Sequence, residues 1–201
     1  IERFYQPYHD AVAAMIASVH AATGRSPFVF SVHSFTPRMQ GRERPWHVGV
    51  LWDSDPRAVD PLLEMLRSDP ALVVGDNEPY DGALRGDTMF KHCIANGFAH
   101  ALIEIRQDLI ADGNGARAWA ERLAPMLDAI NARPDIHEAR QYASRTGPPC
   151  RAAARAVSPG PTRQSMADLP VEQNRDLEPT AFRRLDEHWR HRTTVHATDL
   201  A

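Results

Sequence analysis

Short apolar runs that alternate with amphipathic helices constrain the fold of this chain more than any other sequence feature. Residues 28–31 and 100–105 have the length and the β-branched, aromatic composition of buried strands. Similar runs cover residues 47–52 and 71–74, and helical periodicity marks residues 10–23, 56–66, 88–95 and 116–132. This alternation predicts an α/β fold, in which helices flank a mostly parallel or mixed sheet.

Composition excludes several classes of protein. The 201 residues are 43% hydrophobic, enough for a real core, and their net charge of −3 gives no case for binding nucleic acid or an anionic membrane. No apolar run reaches the roughly 18–20 residues of a membrane span, and no signal peptide is visible. Cys93 and Cys150 form no disulfide framework, so a cytoplasmic location is expected.

A change of composition divides the chain at about residue 138. Residues 1–138 form the predicted α/β domain, whereas residues 139–167 contain no acidic residue and scatter arginine among proline, alanine, glycine and serine. Such a stretch has too little apolar surface to offset its ordering entropy. We expect a disordered linker there, with a basic nucleic-acid-binding arm as the alternative, followed by a short helical segment at residues 168–201.

Polar side chains appear where two of the predicted strands end. His33 follows the run at residues 28–31, and Glu104 lies within the run at residues 100–105. A sheet fixes the direction of such side chains while the strand end opens them to a cleft, so the working hypothesis makes His33 a metal ligand and Glu104 a general base. On spacing alone, a lone histidine near a strand end is by default a hydrogen-bonded core residue, and a catalytic zinc site needs three protein ligands.

Glu104 also has a structural interpretation. A charge inside an apolar run costs free energy unless it is paired or functional, so an internal ion pair with Arg106 or Arg44 is the alternative. Beside a metal-bound water, the same burial would raise the pKa of the carboxyl toward neutrality and suit it to accept a proton.

Two polar loops add candidate substrate ligands. The loop after the first strand carries Arg44 and His47, and arginine binds carboxylates through paired hydrogen bonds, which suits an acidic substrate. The segment GDNEPYDG, residues 75–82, follows a predicted strand, which would place Asn77 and Tyr80 on the cleft side of the sheet. Its composition is also typical of a plain turn.

Three blocks of sequence resemble the N-formylglutamate amidohydrolase family. They are HSFTPRMQGRERPWHVGVLWDSD, GDNEPYDG and HCIANGFAHALIEIRQDLI, and YQPYH ahead of them is similar too. The resemblance covers about residues 1–132 and implies a fold like that of the zinc carboxypeptidases. It implies that His33 is a ligand of Zn²⁺ and that Glu104 is the general base. The candidate substrate-binding residues are Arg44, His47, Asn77, Tyr80 and Arg106.

The same resemblance implies a reaction. It is hydrolysis of the C–N amide bond of N-formyl-L-glutamate to formate and glutamate, a step of histidine degradation acting on a small acidic substrate. Two alternatives stay open. One is a zinc amidase for another N-acyl amino acid, and the other is a non-catalytic truncated remnant that serves as a binding module.

The chain departs from the family pattern at both ends. Family members extend upstream of YQPYH, and the resemblance implies that the remaining zinc ligands lie there. The segment from about Met166 resembles the start of a small bacterial domain of unknown function. We therefore expect an N-terminally truncated amidohydrolase-like domain joined to an unrelated segment by a gene fusion or a gene-prediction error.

Overall fold

The computed structural model describes residues 3–147, so the predicted helical segment at residues 168–201 lies outside the described part. Residues 3–23 belong to one compact unit and residues 24–147 to a second. Across the described range, every helix is too short or too polar to cross a membrane.

The first unit contains helix α1, Tyr5–Thr23. The helix begins before the predicted start at Asp10, because polar contacts extend it where apolar periodicity gives no signal. The side-chain amide of Gln6 donates to the Asp10 carboxylate at 2.8 Å. His9 is buried and meets the ring of Tyr5 edge-on, with ring centres 4.3 Å apart.

The second unit is built on a mixed sheet. Its strands are β1 (Val29–Phe35), β2 (Arg38–Met39), β3 (Arg42–Glu43), β4 (Val48–Leu51), β5 (Val74–Asp76) and β6 (His100–Arg106). Strands β2 and β3 pair with each other, and the other four form one sheet in the order β1-β6-β4-β5. Strand β1 is parallel to β6 and β4 is parallel to β5, whereas β4 is antiparallel to β6. Consequently β5 runs in the direction opposite to β1 and β6.

One face of this sheet packs against two helices, α2 (Pro56–Arg67) and α4 (Gly113–Asn131). The shared core contains Val48, Val50, Ile103 and Ile105 from the strands, with Leu62, Leu66, Trp119 and Leu123 from the helices. A short helix, α3 (Thr88–His92), precedes β6. The predicted α/β fold, with helices flanking a mixed sheet, is confirmed.

Local sequence signals account for the start of α2. Asp55 caps the helix, because its side chain accepts a hydrogen bond from the Arg57 amide at 3.1 Å. Pro56 fills the first helical position, where its missing N–H costs nothing. Both features agree with the sequence-based prediction.

Strand β5 is shifted from its predicted position at residues 71–74. After α2, the Asp69 main-chain oxygen accepts from the Leu72 amide, and the Asp69 side chain accepts from the Ala71 amide. These apolar residues therefore form a turn, and the strand begins only at Val74. A short apolar run without alternation does not separate a turn from a strand.

The first part of the predicted linker, residues 139–147, lies against the domain without forming a helix or strand. The Arg140 amide donates to the Gly97 main-chain oxygen at 2.8 Å. The ring of Tyr142 lies 5.5 Å from the guanidinium carbon of Arg57. The rest of the predicted linker lies outside the described residues.

Candidate active site

His33 and Glu104 are direct neighbours in the sheet. His33 pairs in register with Glu104, so the two lie side by side on β1 and β6. Glu104 also pairs with Gly49 on β4, and Gly49 pairs with Gly75 on β5. These four residues, which we call the site row, share the sheet face opposite α2 and α4, because alternate strand residues point to alternate faces.

Glu104 is a buried carboxylate with one open hydrogen-bonding position. Only 8% of the residue is exposed, and its Oε2 atom has no hydrogen-bond partner within the described residues. Burial raises the pKa of the Glu104 carboxyl, and electrostatic interactions with His33 and Arg44 oppose that rise without cancelling it. A carboxyl with a raised pKa is suited to accept and return a proton.

Within residues 3–147, neither arginine that could pair with Glu104 forms an ion pair with it. The side chain of Arg106 donates instead to Asp108, at 2.7 Å, and also to main-chain oxygens of the preceding loop. The guanidinium of Arg44 donates to the Tyr80 hydroxyl. The Glu104 carboxylate is therefore not neutralised by a direct partner there.

His33 is exposed beside this carboxylate. An accessible imidazole next to a buried carboxylate fits part of a zinc site, since histidine nitrogen is a common zinc ligand. Residues 3–147 contain no group of three or more His, Cys, Asp or Glu side chains placed to hold a metal ion. They supply one candidate ligand, and a complete zinc site needs further ligands from outside this range.

Arg44 lies between two aromatic rings next to the site row. Its guanidinium carbon is 5.7 Å from the ring centre of Phe35 and 5.0 Å from that of Tyr80. Its Nη1 atom donates to the Tyr80 hydroxyl at 2.9 Å, and its Nη2 atom contacts the sulfur of Met39. A thioether is a weak acceptor, so the Nη2 group keeps donor capacity for a carboxylate.

The loop at residues 77–82, which we call the crossing loop, brings Tyr80 to Arg44. Because β5 runs opposite to β6, this loop starts at the end of the sheet away from the carboxyl end of β6. It reaches Arg44 by folding back over the site row, where a Cβ on either glycine would overlap the main-chain oxygen of Glu78. The two glycines therefore make the room that the loop needs.

Asn77 and His47 hold loops in place through their side chains. Asn77 adopts a φ of +52°, and its Oδ1 atom accepts from the amides of Trp52 and Gly82, at 2.9 and 3.0 Å. The Nδ1 atom of His47 accepts from the Val73 amide at 2.8 Å. Of the sequence-predicted site residues, the structure brings together His33, Glu104, Arg44 and Tyr80, and it engages Asn77, His47 and Arg106 in loop contacts.

Sequence reasoning missed Phe35 and the glycines of the site row. For Gly49 a signal was present, because a glycine inside a strand pattern marks a close approach of backbone. Phe35 is 1% exposed and forms one side of the Arg44 sandwich. An apolar residue at a strand end is typical of any core, so no sequence signal identified its role.

One protein family and two solved structures are similar to this chain. The family model for N-formylglutamate amidohydrolase matches residues 1–111. The crystal structure of gene product Atu2144 from Agrobacterium tumefaciens is similar, with 36% identity, a TM-score of 0.56, and coverage of 63% of this chain and 52% of that chain. The crystal structure of N-formylglutamate amidohydrolase from Ralstonia eutropha JMP134 has 20% identity, a TM-score of 0.45, and coverage of 65% and 53%. No curated protein matches the chain significantly.

The chain spans about half the length of the solved structures that it matches. The family match covers more than half of the 201 residues and includes the whole site row, Arg44 and the crossing loop. The chain therefore belongs to the N-formylglutamate amidohydrolase family.

Proposed function

We propose that this chain carries the general base and the carboxylate-binding side of an enzyme that hydrolyses N-formyl-L-glutamate to formate and glutamate. The observation that supports the proposal is the state of Glu104: it is buried, its pKa is raised, and one oxygen has no partner within the described residues. The family supplies the reaction class. Residues 3–147 hold no group of three candidate metal ligands, so a complete zinc site would need further ligands from outside that range.

Glu104 does the proton transfers in this proposal. It takes a proton from the water that attacks the formyl carbon. The water oxygen bonds to that carbon, the C–N bond breaks, and Glu104 returns the proton to the leaving nitrogen, which gives formic acid and the amine of glutamate. The acid proton then passes to the amine, so the products are formate and glutamate with an ammonium group. A raised pKa suits both transfers, because the carboxyl holds the proton between them and still releases it.

His33 is the residue of the site row that would bind a zinc ion. When bound, zinc would supply a water of pKa about 7 and polarise the formyl oxygen. The imidazole of His33 is exposed, so it is accessible to an ion from the side of the cleft. Its position beside Glu104 puts a candidate ligand and a candidate base in one row of the sheet.

Arg44 would hold a substrate carboxylate. Phe35 and Tyr80 fix the guanidinium between their rings, which lowers the entropy that binding has to remove. Arg44 is 8% exposed, so a substrate carboxylate would have to reach its Nη2 group, whose partner Met39 is a weak acceptor. An acidic substrate such as N-formyl-L-glutamate matches this charge.

We extend the proposal to a cytoplasmic step of histidine degradation. The free, buried Cys93 is consistent with a reducing compartment. The partner implied by the site is a small acidic molecule.

Formate release by the purified protein in the presence of Zn²⁺ tests the reaction. We expect release from N-formyl-L-glutamate to exceed release of the acyl group from N-acetyl-L-glutamate and N-formyl-L-leucine. Faster turnover of another N-acyl amino acid would instead assign a related amidase. Absence of hydrolysis together with absence of zinc binding would leave a non-catalytic binding module.

Zinc content tests His33 separately. We expect His33→Ala to lose zinc that the unmodified protein retains after dialysis, because the site row loses its imidazole. His20→Ala, on the exposed side of α1, is the matched control and should keep the metal. If the unmodified protein retains zinc, equal zinc content in the two variants would exclude His33 as a ligand.

A further inference from the structure

We infer that Arg145 is a positioning residue for the candidate active site, and that it fastens the crossing loop so that Tyr80 stays against Arg44. The effect on substrate rests on the proposed function, whereas the effect on the loop does not. Arg145 lies beyond residues 1–111, the part that matches the family, so the family match does not identify it.

Arg145 joins two separate parts of the chain. Its main-chain amide donates to the Asp53 carboxylate at 2.8 Å, and its Nε atom donates to the Asp53 main-chain oxygen at 3.0 Å. Its Nη2 atom donates to the Trp52 main-chain oxygen at 2.8 Å. The same guanidinium reaches the Asp81 carboxylate in the crossing loop, at 2.7 Å from Nη2 and 3.1 Å from Nη1.

The fixed end of this connection is the segment directly after β4. Asp53 is 4% exposed, and it follows a strand whose four residues are all buried. A buried carboxylate two residues after a core strand moves little, so it gives Arg145 a rigid base. At the other end of the Arg145 side chain lies the exposed residue Asp81. Its hydrogen bonds to Arg145 are the main cause that lowers the pKa of its carboxyl, which favours the ionised form.

The crossing loop is held at both ends around Tyr80. At its start, the Asn77 side chain accepts from the amides of Trp52 and Gly82. At its far end, Asp81 is held by Arg145. Tyr80 is the residue adjacent to Asp81, and its hydroxyl accepts from Arg44 at 2.9 Å. Without the contact between Asp81 and Arg145, Tyr80 would be free to move away from Arg44. Arg44 would then keep only Phe35 as an aromatic neighbour.

Arginine is needed at this position because several acceptors are served from one planar group. The guanidinium donates to two main-chain oxygens and to both carboxylate oxygens of Asp81. A lysine ammonium is a point charge with three donors and does not reproduce this fork. Arg145→Lys should therefore restore only part of the connection.

The segment that carries Arg145 is itself attached to the domain. Arg57 donates to the main-chain oxygen of Glu138 at 2.6 Å, and Arg85 donates to that of Thr146 at 3.1 Å. Gly97 accepts the Arg140 amide, and a Cβ on Gly97 would lie 2.7 Å from the Arg140 main-chain oxygen. Contacts on both sides of Arg145 thus hold it within hydrogen-bonding distance of Asp53 and Asp81.

Hydrogen exchange and kinetics on the full chain test the inference. The variant is Arg145→Met, which keeps an unbranched side chain but removes the guanidinium. The matched control is Arg140→Met, because the guanidinium of Arg140 pairs with Glu138 rather than with the loop. We expect Arg145→Met to raise the exchange rate of the Gly82 amide, which donates to Asn77, about tenfold, and Arg140→Met to leave it unchanged. Because 45% of the Arg145 side chain is exposed, the variant should fold.

The kinetic readout separates positioning from general support. With N-formyl-L-glutamate and Zn²⁺, Arg145→Met should raise KM about 3–10-fold while kcat changes less than twofold, because Arg44 binds carboxylate but does not transfer protons. Arg145→Lys should fall between this variant and the unmodified protein. Asp81→Asn should give the same change, and the double variant should add little to either single one.

The outcomes are distinguishable. Equal exchange in Arg145→Met and Arg140→Met would overturn the inference, and so would faster exchange with an unchanged KM. If the unmodified protein hydrolyses no N-formyl-L-glutamate, the proposed function fails. The exchange comparison would then still decide whether Arg145 holds the crossing loop.

Discussion

Two buried carboxylates of this protein, Asp55 and Glu104, are treated in opposite ways by their surroundings. Asp55 is 3% exposed, and both of its oxygens accept from the guanidinium of Arg57. The remaining donors of Arg57 reach main-chain oxygens of Gly97, Asp135 and Glu138. Glu104 is 8% exposed, yet its Oε2 atom has no partner within the described residues.

Under the proposed function, this difference separates a structural charge from a reacting one. Burial of an unpaired polar atom costs about 1–3 kcal/mol, so most such atoms in a fold are paired. The Asp55 cluster shows that this chain builds a fully paired network where it serves only the fold. Asp53 Oδ2 and Ser54 Oγ are also buried without a partner within the described residues, so the proposed role of Glu104 rests on its raised pKa and its place beside His33 as well as on its open oxygen.

Substitution of Glu104 should produce the largest effect on activity. We expect Glu104→Gln to lower turnover of N-formyl-L-glutamate by about 10²–10⁴-fold, because the amide keeps the shape but accepts no proton. Steady-state kinetics with zinc content measured in parallel is the check. Turnover near that of the unmodified protein would remove Glu104 from the mechanism.

The same variant should not lose stability. The usual pKa of a glutamate is 4.5, and burial raises that of Glu104 in the folded chain. Between the two values the folded chain keeps a proton that the unfolded chain has lost, so the free energy of unfolding falls as pH rises across this window. Glu104→Gln removes that slope, and denaturant unfolding at several pH values should show the variant to be at least as stable at neutral pH.

Loss of the Arg57 side chain should lower the free energy of unfolding without changing the candidate active site, because Arg57 pairs with Asp55 and not with Glu104. Arg57→Ala leaves the Asp55 charge buried and several main-chain oxygens without their donor, and we expect a loss of about 3–5 kcal/mol in the free energy of unfolding. Chemical denaturation followed by tryptophan fluorescence measures it.

The matched control lies on the same helix. Arg67 pairs with Asp76 at 3.2 Å, and both side chains are well exposed, at 50% and 39%. Arg67→Ala should therefore cost about 0–1 kcal/mol. Similar losses in the two variants would mean that the buried network contributes no more than a surface pair, and the contrast with Glu104 would no longer hold.

Local signals made much of this fold predictable. The β-branched runs at β1 and β6 and the Asp55-Pro56 start of α2 each depend on near neighbours in sequence, and the structure contains all three. The pairing of His33 with Glu104 follows once both runs are strands of one sheet. Their chemical roles stay predictions, because residues 3–147 supply no complete ligand set.

Contacts that depend on strand direction and on distant residues were not predictable. Tyr80 was expected at the cleft because it follows a strand, but β5 runs opposite to β6, and the strand end alone would have placed it at the wrong end. It reaches Arg44 because the crossing loop folds back over two glycines. Arg145 is 64 positions from Asp81, and a segment without acidic residues gave no sign that it would bind one.

The smallest of the expected effects tests whether Gly49 allows the crossing loop to fold back toward Arg44. Gly49→Ala would place a Cβ against the main-chain oxygen of Glu78, and because backbone cannot yield as a side-chain end does, we expect a loss of about 1–3 kcal/mol in the free energy of unfolding. Gly113→Ala is the control, since a Cβ there meets no atom within 4 Å, and alanine at the start of α4 should be neutral or stabilising by up to about 1 kcal/mol. A displaced crossing loop should also raise KM in Gly49→Ala, as in Arg145→Met, because both changes move Tyr80 away from Arg44. If Gly49→Ala proves as stable as Gly113→Ala with an unchanged KM, the glycines of the site row do not position the loop, and the approach of Tyr80 to Arg44 must be held from the Arg145 side alone.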